Sequence, residues 1–320
     1  MGGSSTDFSS SSAYDFDSSP KTVKKTAADY AREDRRTYAA PKKGLPPPVG
    51  VDISASSLYN IAIMLDQTGS MRELPKNFIN KSSTMYAEAN AAMQGIDLKK
   101  LEKGKKLEDK LEMAIVAIGD AKSDQSPLQV LNYCNGTALV KGVLDIYPEG
   151  NGGSGDTFES YDLGAYYLLN HANTPKSPKG VKPLLVIIGD EGFYEKIDKE
   201  EIKALIGDDL PNDLNTVDVL KKLRDKFDTY VLRPEIHYSQ ATYSSIQKQW
   251  ESALGAERIL RMDGYSRVVD CIIGLCGYAS NNFKVSEELL RRRQTPAQVD
   301  EVLKILHPAL SVKKGKGKSK

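Results

Sequence analysis

The sequence predicts an α/β fold with a doubly wound, mostly parallel sheet. Strand-like and helix-like segments alternate along most of the chain, and several strand-like runs are continuously apolar, as in IAIML at 61–65 and LLVII at 184–188. Continuous apolar runs are typical of strands covered by helices on both faces. Residues 112–146 contain no long helical pattern between their strand-like runs, which predicts an antiparallel strand at one edge of the sheet.

Strands are predicted where short apolar or β-branched runs are bounded by turn residues. In chain order these runs lie at 59–66, 111–120, 136–148, 182–191, 228–234 and 257–263. Helices are predicted where apolar residues recur at intervals of three and four, and Asn215 or Thr216 caps one of them. These segments lie at 77–96, 156–172, 215–227, 239–255, 266–279 and 295–306.

The two ends of the chain differ in composition from its middle. Residues 1–57 are Ser-rich and then Pro-rich (GLPPPVG), which predicts a flexible or extended arm. Residues 58–280 carry the alternating pattern and are predicted to form the folded domain. Residues 281–320 are predicted to form a helical appendage that ends in the basic tail KKGKGKSK. Such a tail is most often a solvated end, although it suits weak contact with nucleic acid.

Charge and cysteine content bear on the binding partners and the cellular location of the protein. The 320 residues include 44 Lys and Arg against 43 Asp and Glu, so overall charge provides no reason to expect nucleic-acid or membrane binding. The N-terminus lacks a signal-peptide pattern, and no apolar run reaches transmembrane length. Three cysteines, Cys134, Cys271 and Cys276, lack zinc-site spacing and are interpreted as reduced thiols. We therefore expect a cytoplasmic location.

Three oxygen-rich loops follow predicted strands, where ligands collect in open α/β sheets. The first contains Asp66, Thr68 and Ser70, the second Asp156, Thr157 and Glu159, and the third Asp190 and Glu191. Residues two apart in extended chain point the same way, so the first loop can direct a carboxylate and two hydroxyls at one point. Oxygen ligands without Cys or His suit a hard divalent cation: Mg²⁺ first, with Mn²⁺ or Ca²⁺ as alternatives.

Other interpretations of these loops stay open from the residues alone. GNGGSG at 150–155 matches a dinucleotide-binding pattern, but Asp156 follows where a pyrophosphate needs free N–H groups. Phosphoryl transfer on Asp66 would require a second acid at the position that Thr68 occupies. Asp, Thr and Ser at a strand end also form ordinary turns and helix caps.

Taken together, the three loops resemble a known family. DQTGSM at 66–71 is similar to the D-x-[ST]-G-S-M motif of von Willebrand factor type A (VWA) domains. GGSGDTFES at 152–160 resembles the G-G-G-D-x-P-E segment of one branch, with Phe158 in place of Pro, and LLVIIGDEGFYE resembles the strand-end segment of the third loop. The resemblance spans roughly residues 58–280, and it implies a Rossmann-like VWA fold.

The resemblance implies a metal-ion-dependent adhesion site (MIDAS). Its ligands would be Asp66, Thr68, Ser70 and Asp190, with Asp156 or Thr157 from the second loop, and Glu191 would face solvent or add charge nearby. In that family the cation keeps an open position that accepts an Asp or Glu side chain from another protein. The implied function is therefore an adaptor or scaffold that binds a partner and is not an enzyme.

The resemblance also suggests partners and alternatives. Cytoplasmic proteins of this family act with AAA+ ATPases or in larger assemblies, and residues 117–130 suggest a bacterial or phage source. A metal-dependent hydrolase or phosphatase using Asp66 or Asp190 is one alternative, and a structural assembly protein with a vestigial site is another. The histidines His171, His237 and His307 lie away from the three loops and are assigned structural or surface roles.

Overall fold

A computed structural model of the chain describes residues 44–98, 107–149, 157–178, 181–235 and 239–316, with side chains up to 312. Most of the predicted arm, the residue Asp156, the residue His237 and the end of the basic tail lie outside these ranges.

A six-stranded sheet forms the centre of the protein. Its strands are β1 (Tyr59–Asp66), β2 (Leu111–Ile118), β3 (Leu128–Cys134), β4 (Leu184–Ile188), β5 (Asp228–Pro234) and β6 (Ile259–Met262). They lie in the order β6-β5-β4-β1-β2-β3, and all neighbours are parallel except β2 and β3. The predicted α/β class, the mostly parallel sheet and the antiparallel edge strand are therefore confirmed.

Helices cover both faces of the sheet because the central strands are apolar on both sides. In β1, Ile61, Ile63 and Leu65 join one hydrophobic cluster, while Ala62 and Met64 join the other. The first cluster receives α1 (Leu74–Gln94), α2 (Gly136–Gly142), α7 (Val268–Ala279), α8 (Phe283–Arg293) and α9 (Pro296–Lys316). The second receives α3 (Tyr161–His171), α4 (Lys199–Leu205), α5 (Thr216–Lys226) and α6 (Gln240–Leu254).

One predicted strand is wrong. Residues 136–148 form helix α2 and a 3₁₀ turn, Val143–Asp145, and the antiparallel strand is β3, which lies earlier in the chain. The buried residues Gly136, Leu139, Val143 and Ile146 recur at intervals of three and four. This is the spacing of one helical face, not the alternation of a strand.

Both predicted end regions contact the core where they are described. Ile53–Ser54 pairs in parallel with Ala172–Asn173, and Ile53 is buried. Helices α8 and α9 contribute Leu290 and Val302, among others, to the cluster shared with α1 and α7. The domain limits after 57 and 280 stay predictions. Among the helices that the structure describes, none is both long and apolar enough to cross a membrane.

Candidate metal centre

The strand order places the candidate site at one end of the sheet. The chain runs from β1 to β2 and β3 on one side and returns to β4 on the other, so the order reverses between β1 and β4. Ligands of open α/β sheets bind beyond the carboxyl ends of the strands at such a reversal. Asp66 is the last residue of β1, and Asp190 follows β4 by two residues.

The first loop turns its predicted ligands towards one another. After Asp66 the chain enters a short 3₁₀ helix, Gly69–Met71. The backbone N–H and the hydroxyl of Thr68 both donate to Asp66 Oδ1, over 2.8 and 2.6 Å. Thr68 Oγ1 lies 3.3 Å from Ser70 Oγ. Asp66 and Thr68 are buried, whereas Ser70 is half-buried.

The third loop closes this group of side chains. Ser70 Oγ donates to Asp190 Oδ1 over 2.8 Å, although the two residues are 120 positions apart in sequence. Asp190 is fully buried. The Thr68 and Ser70 hydroxyls thus each donate to a different carboxylate, Asp66 and Asp190, and their two oxygens lie 3.3 Å apart between these acids.

The second loop is described only from Thr157 onwards. The Gly192 N–H donates to the Thr157 carbonyl over 2.9 Å, and Phe158–Glu159 pairs in parallel with Gly192–Phe193. The second loop therefore runs beside the third. Within the described ranges, the Thr157 side chain makes no hydrogen bond to the other predicted ligands. Asp156 lies outside those ranges, so a metal ligand from the second loop, either Asp156 or Thr157, stays a prediction.

Tyr161, which the sequence did not indicate, contacts the site directly. It is the first residue of α3, it is buried, and its hydroxyl donates to Asp66 Oδ2 over 2.5 Å. Both oxygens of Asp66 are consequently held by donors, which fixes the plane of the carboxylate. In the sequence Tyr161 belongs to the apolar face of a Tyr-rich helix, and nothing local distinguishes it from core tyrosines.

Glu159 belongs to the oxygen-rich second loop, but the sequence predicts no ligand role for it. It is 2% exposed, and in the part of the chain that the structure describes its Oε2 atom has no hydrogen-bond partner. Buried carboxylate oxygens without a partner are costly, so this atom is open to a hydrogen bond from water or to contact with a cation. The available signal was its place in the Gly-rich segment, three residues after Asp156.

The site concentrates negative charge in a buried space. Burial and then the neighbouring Asp190 carboxylate raise the pKa of Asp66 to about 7. Burial and then the charges of Asp66 and Glu191 raise the pKa of Glu159. Burial and the Asp66 charge raise the pKa of the Tyr161 hydroxyl, which keeps it a hydrogen-bond donor. A positive charge among these carboxyl groups would lower their pKa values and favour their ionised forms.

Helix α6 holds the backbone of the third loop. Trp250 Nε1 donates to the Glu191 carbonyl over 2.9 Å. Gln249 accepts from the Phe193 N–H over 3.2 Å and donates to the Phe193 carbonyl over 2.7 Å. Glu191 itself is buried, so of its two predicted roles the solvent-facing one is wrong. The other role, a charge near the site, agrees with its effect on the pKa of Glu159.

The oxygen atoms at this site are ligands of the kind that a hard divalent cation prefers. Among the described residues no three His, Cys, Asp or Glu side chains converge as a metal site, so hydroxyls must complete the ligand set. Thr68 and Ser70 supply them beside Asp66 and Asp190, and the partnerless oxygen of Glu159 is available nearby. Oxygen-only sets of this kind suit Mg²⁺, Mn²⁺ or Ca²⁺.

No protein-family model matches the chain, and no curated protein sequence matches it. Solved structures of similar fold include the open pilus adhesin SpaC from Lactobacillus rhamnosus GG, with 11% identity and a TM-score of 0.45 over 75% of this chain. Proximal thread matrix protein 1 from the mussel byssus has 10% identity and a TM-score of 0.42 over 71%.

A third similar structure is the vWF domain of the pilus tip protein Mfa5 from Porphyromonas gingivalis. It has 9% identity and a TM-score of 0.38, and the match covers 75% of this chain and 98% of that domain. The chain spans 31% of the SpaC chain and 49% of the byssus chain. Values this low assign neither a family nor a function to the chain.

Proposed function

We propose that this chain is a VWA-type binding protein that holds a divalent cation, Mg²⁺ first, at a metal-ion-dependent adhesion site and captures a carboxylate of a partner protein through it. The observation that carries the proposal is the convergence of the Asp66 and Asp190 carboxylates on the Thr68 and Ser70 hydroxyls, which donate to one acid each and lie 3.3 Å apart. It joins the ends of β1 and β4 at the reversal of strand order, where such sheets bind ligands.

The charge balance supports a cation over an ordinary turn. A turn or helix cap would need one acceptor, yet two fully buried carboxylates share this space, and Glu159 lies close enough to be affected by the Asp66 charge. Like charges buried together are costly unless a positive charge compensates them. A divalent cation among these oxygens would offset that cost.

Each residue has a distinct part in the proposed site. Thr68 and Ser70 would bind the cation through neutral hydroxyls, while Asp66 and Asp190 would supply charge directly or through water. Tyr161 keeps the Asp66 carboxylate oriented, and α6 keeps the backbone of the third loop in place. A cation held largely by neutral oxygens retains electrophilic character, which is the chemistry it supplies to an incoming carboxylate.

We propose binding without turnover, because catalysis at Asp66 or Asp190 would require a base or a phosphate-binding cation at the site. Arg233 is a cation close to Asp190, but its guanidinium is fully buried and its N–H groups already donate to Asp190 O, Tyr243 O and Gln247 Oε1. An AAA+ ATPase or a larger assembly as the partner, a cytoplasmic location and a bacterial or phage source all stay predictions.

Thermal unfolding with and without cation tests the metal site. In Mg²⁺, Mn²⁺ or Ca²⁺ at a hundredfold excess over Kd, wild type is expected to gain about 2.7 kcal/mol relative to chelator. Asp66→Asn is expected to lose this gain because it removes the ligand charge at the end of β1. Asp209→Asn, which alters an exposed carboxylate paired with Lys203, is the matched control and should respond like wild type. An unchanged Tm of wild type in all three cations would overturn the proposal.

Capture of a carboxylate is tested on the same proteins. Immobilised peptides with one central Asp or Glu, and matched Asn or Gln peptides, are offered with Mg²⁺ or with chelator. Retention that requires both the acid and the metal supports the adaptor function. Release of phosphate from generic phosphoesters, dependent on Asp66, would instead favour the hydrolase alternative. Metal-induced stabilisation without either would favour a structural role.

Glu159→Gln is expected to weaken cation binding by about tenfold while changing the stability of the chelated protein by less than about 1 kcal/mol. The amide keeps the size of the side chain but removes the charge that the cation would attract. Glu195→Gln, an exposed neighbour of the third loop, is the control. The measurement is the cation concentration at half-maximal Tm shift, and an unchanged midpoint would show that Glu159 does not contribute.

A further inference from the structure

His171, far from the candidate metal centre in the sequence, lies between two carboxylates. Its Nδ1 is 2.7 Å from Asp52 Oδ1, and its Nε2 is 2.9 Å from Asp208 Oδ2. The ring stacks on Tyr167 with centroids 5.3 Å apart and planes 17° apart. A neutral imidazole has one N–H, whereas the imidazolium has two, so only protonated His171 can donate to both acids.

The two acids belong to different parts of the chain. Asp52 lies on the segment 50–55 that leads into β1, and Asp208 lies in the loop after α4. His171 is the last residue of α3. One side chain therefore ties the leading segment to the body of the protein, and this tie depends on a proton.

The groups facing His171 act on its charge in opposite directions, because the carboxylates of Asp52 and Asp208 favour the charged form and the positive Lys226 ammonium opposes it. Besides Asp52 and Asp208, they are the Tyr166 hydroxyl, which donates to Asp208 Oδ2 over 2.6 Å, the Tyr167 ring, and the Lys226 ammonium from α5. Lys226 donates to carbonyls at the end of α3, and its charge interacts with Asp52. Burial lowers the pKa of His171, but the hydrogen bonds and charges of Asp208 and Asp52 outweigh it and raise the pKa.

The leading segment has further attachments that do not titrate near neutral pH. The Gly50 N–H donates to the Ile206 carbonyl over 2.7 Å, the Tyr167 hydroxyl donates to the Val51 carbonyl over 2.8 Å, and Ile53 is buried. Loss of the His171 contacts would thus loosen this segment without unfolding the protein. Such local loosening can be measured by amide hydrogen exchange of this segment.

We propose that His171 is a pH-sensitive clamp that holds the segment 50–55 against α3 and the loop after α4 when protonated, and loosens it when neutral. Because the group that gains partners on folding is a histidine with a raised pKa, its stabilising contribution is complete below the unfolded pKa. That contribution is lost as the pH rises through the folded pKa. Attachment of the sequence N-terminal to β1 would therefore weaken with rising pH.

Amide hydrogen exchange of the full chain tests this clamp. Exchange is measured at pH 5.5 and 8.5 for wild type and for His171→Gln at each pH, so that the intrinsic pH dependence cancels. At pH 5.5 residues 50–55 of the variant are expected to exchange about fivefold faster than in wild type, the effect of losing one charged hydrogen bond. At pH 8.5 the two proteins should exchange alike.

Further variants keep the test decisive. Asp52→Asn alters a largely exposed side chain and should reproduce the effect of His171→Gln, whereas His307→Gln, which alters a histidine near Ser311 on α9, should behave like wild type. Peptides from β1 provide the internal reference for global unfolding. Equal exchange of wild type and His171→Gln at pH 5.5, or a difference of the same size at both pH values, would overturn the proposal.

Discussion

Arg233→Met is expected to lower the free energy of unfolding by about 3 kcal/mol, because it removes a buried charged donor from several acceptors at once. The guanidinium is fully buried, donates to Tyr243 O over 3.1 Å and to Gln247 Oε1 over 2.9 Å, and contacts Asp190 O over 3.4 Å. Met fills a similar length of space but satisfies none of these oxygens. Urea unfolding in chelator measures the loss without any contribution from bound cation.

Arg261→Met is the matched control for this substitution. Its guanidinium also lies over the Tyr243 ring, at 4.9 Å against 3.8 Å for Arg233, but its side chain is 53% exposed. It pairs with Glu235 at the surface, and exposed ion pairs contribute little. We expect a loss below about 1 kcal/mol. Similar losses for the two variants would show that stacking on Tyr243, not burial of the donor, accounts for the effect.

Arg293→Met is expected to cost about 3 kcal/mol, because it removes one cationic partner from the fully buried Asp270, which keeps Arg267, and from the half-buried Glu88. Arg293 on α8 is 2.7 Å from Asp270 Oδ1 and forms a two-point contact with Glu88 over 3.0 and 3.1 Å. Asp270 is fully buried on α7, and Glu88 lies on α1. The substitution therefore weakens the junction of three helices, and urea unfolding measures the loss.

The neighbouring Arg291 provides the control within the same run of three arginines. It pairs with Glu287 four residues earlier on α8, and its side chain is 50% exposed. Arg291→Met is expected to change stability by less than about 0.5 kcal/mol. If both variants unfolded at the same urea concentration, the ion pairs of Arg293 would not stabilise the helix junction.

The regular elements follow from local pattern where that pattern is long. The apolar runs at 59–66 and 228–234 coincide with β1 and β5, and Asn215 accepts from the Asp218 N–H as the expected cap of α5. Pattern failed at 136–148, where the apolar content predicts a strand although the buried residues recur at helical intervals. It also missed α4, a seven-residue helix in a polar stretch.

The candidate site shows the same division between near and distant contacts. Asp66, Thr68 and Ser70 are two positions apart in the sequence, so a short motif is enough to predict that they lie close together. Tyr161 reaches Asp66 from 95 positions away, so its part depends on how α3 packs on the sheet. No local pattern distinguishes its hydroxyl from those of other buried tyrosines.

By itself the sequence determined the α/β class, the apolar strands and the oxygen-rich loops at their ends, because periodicity and composition record which face of an element is apolar. Only the tertiary structure decided that β1 and β4 are neighbours, that Ser70 therefore reaches Asp190, and that Arg293 is half-buried while Arg291 is exposed. Those outcomes depend on the relative placement of elements separated by about a hundred residues or more, and local pattern does not encode that placement.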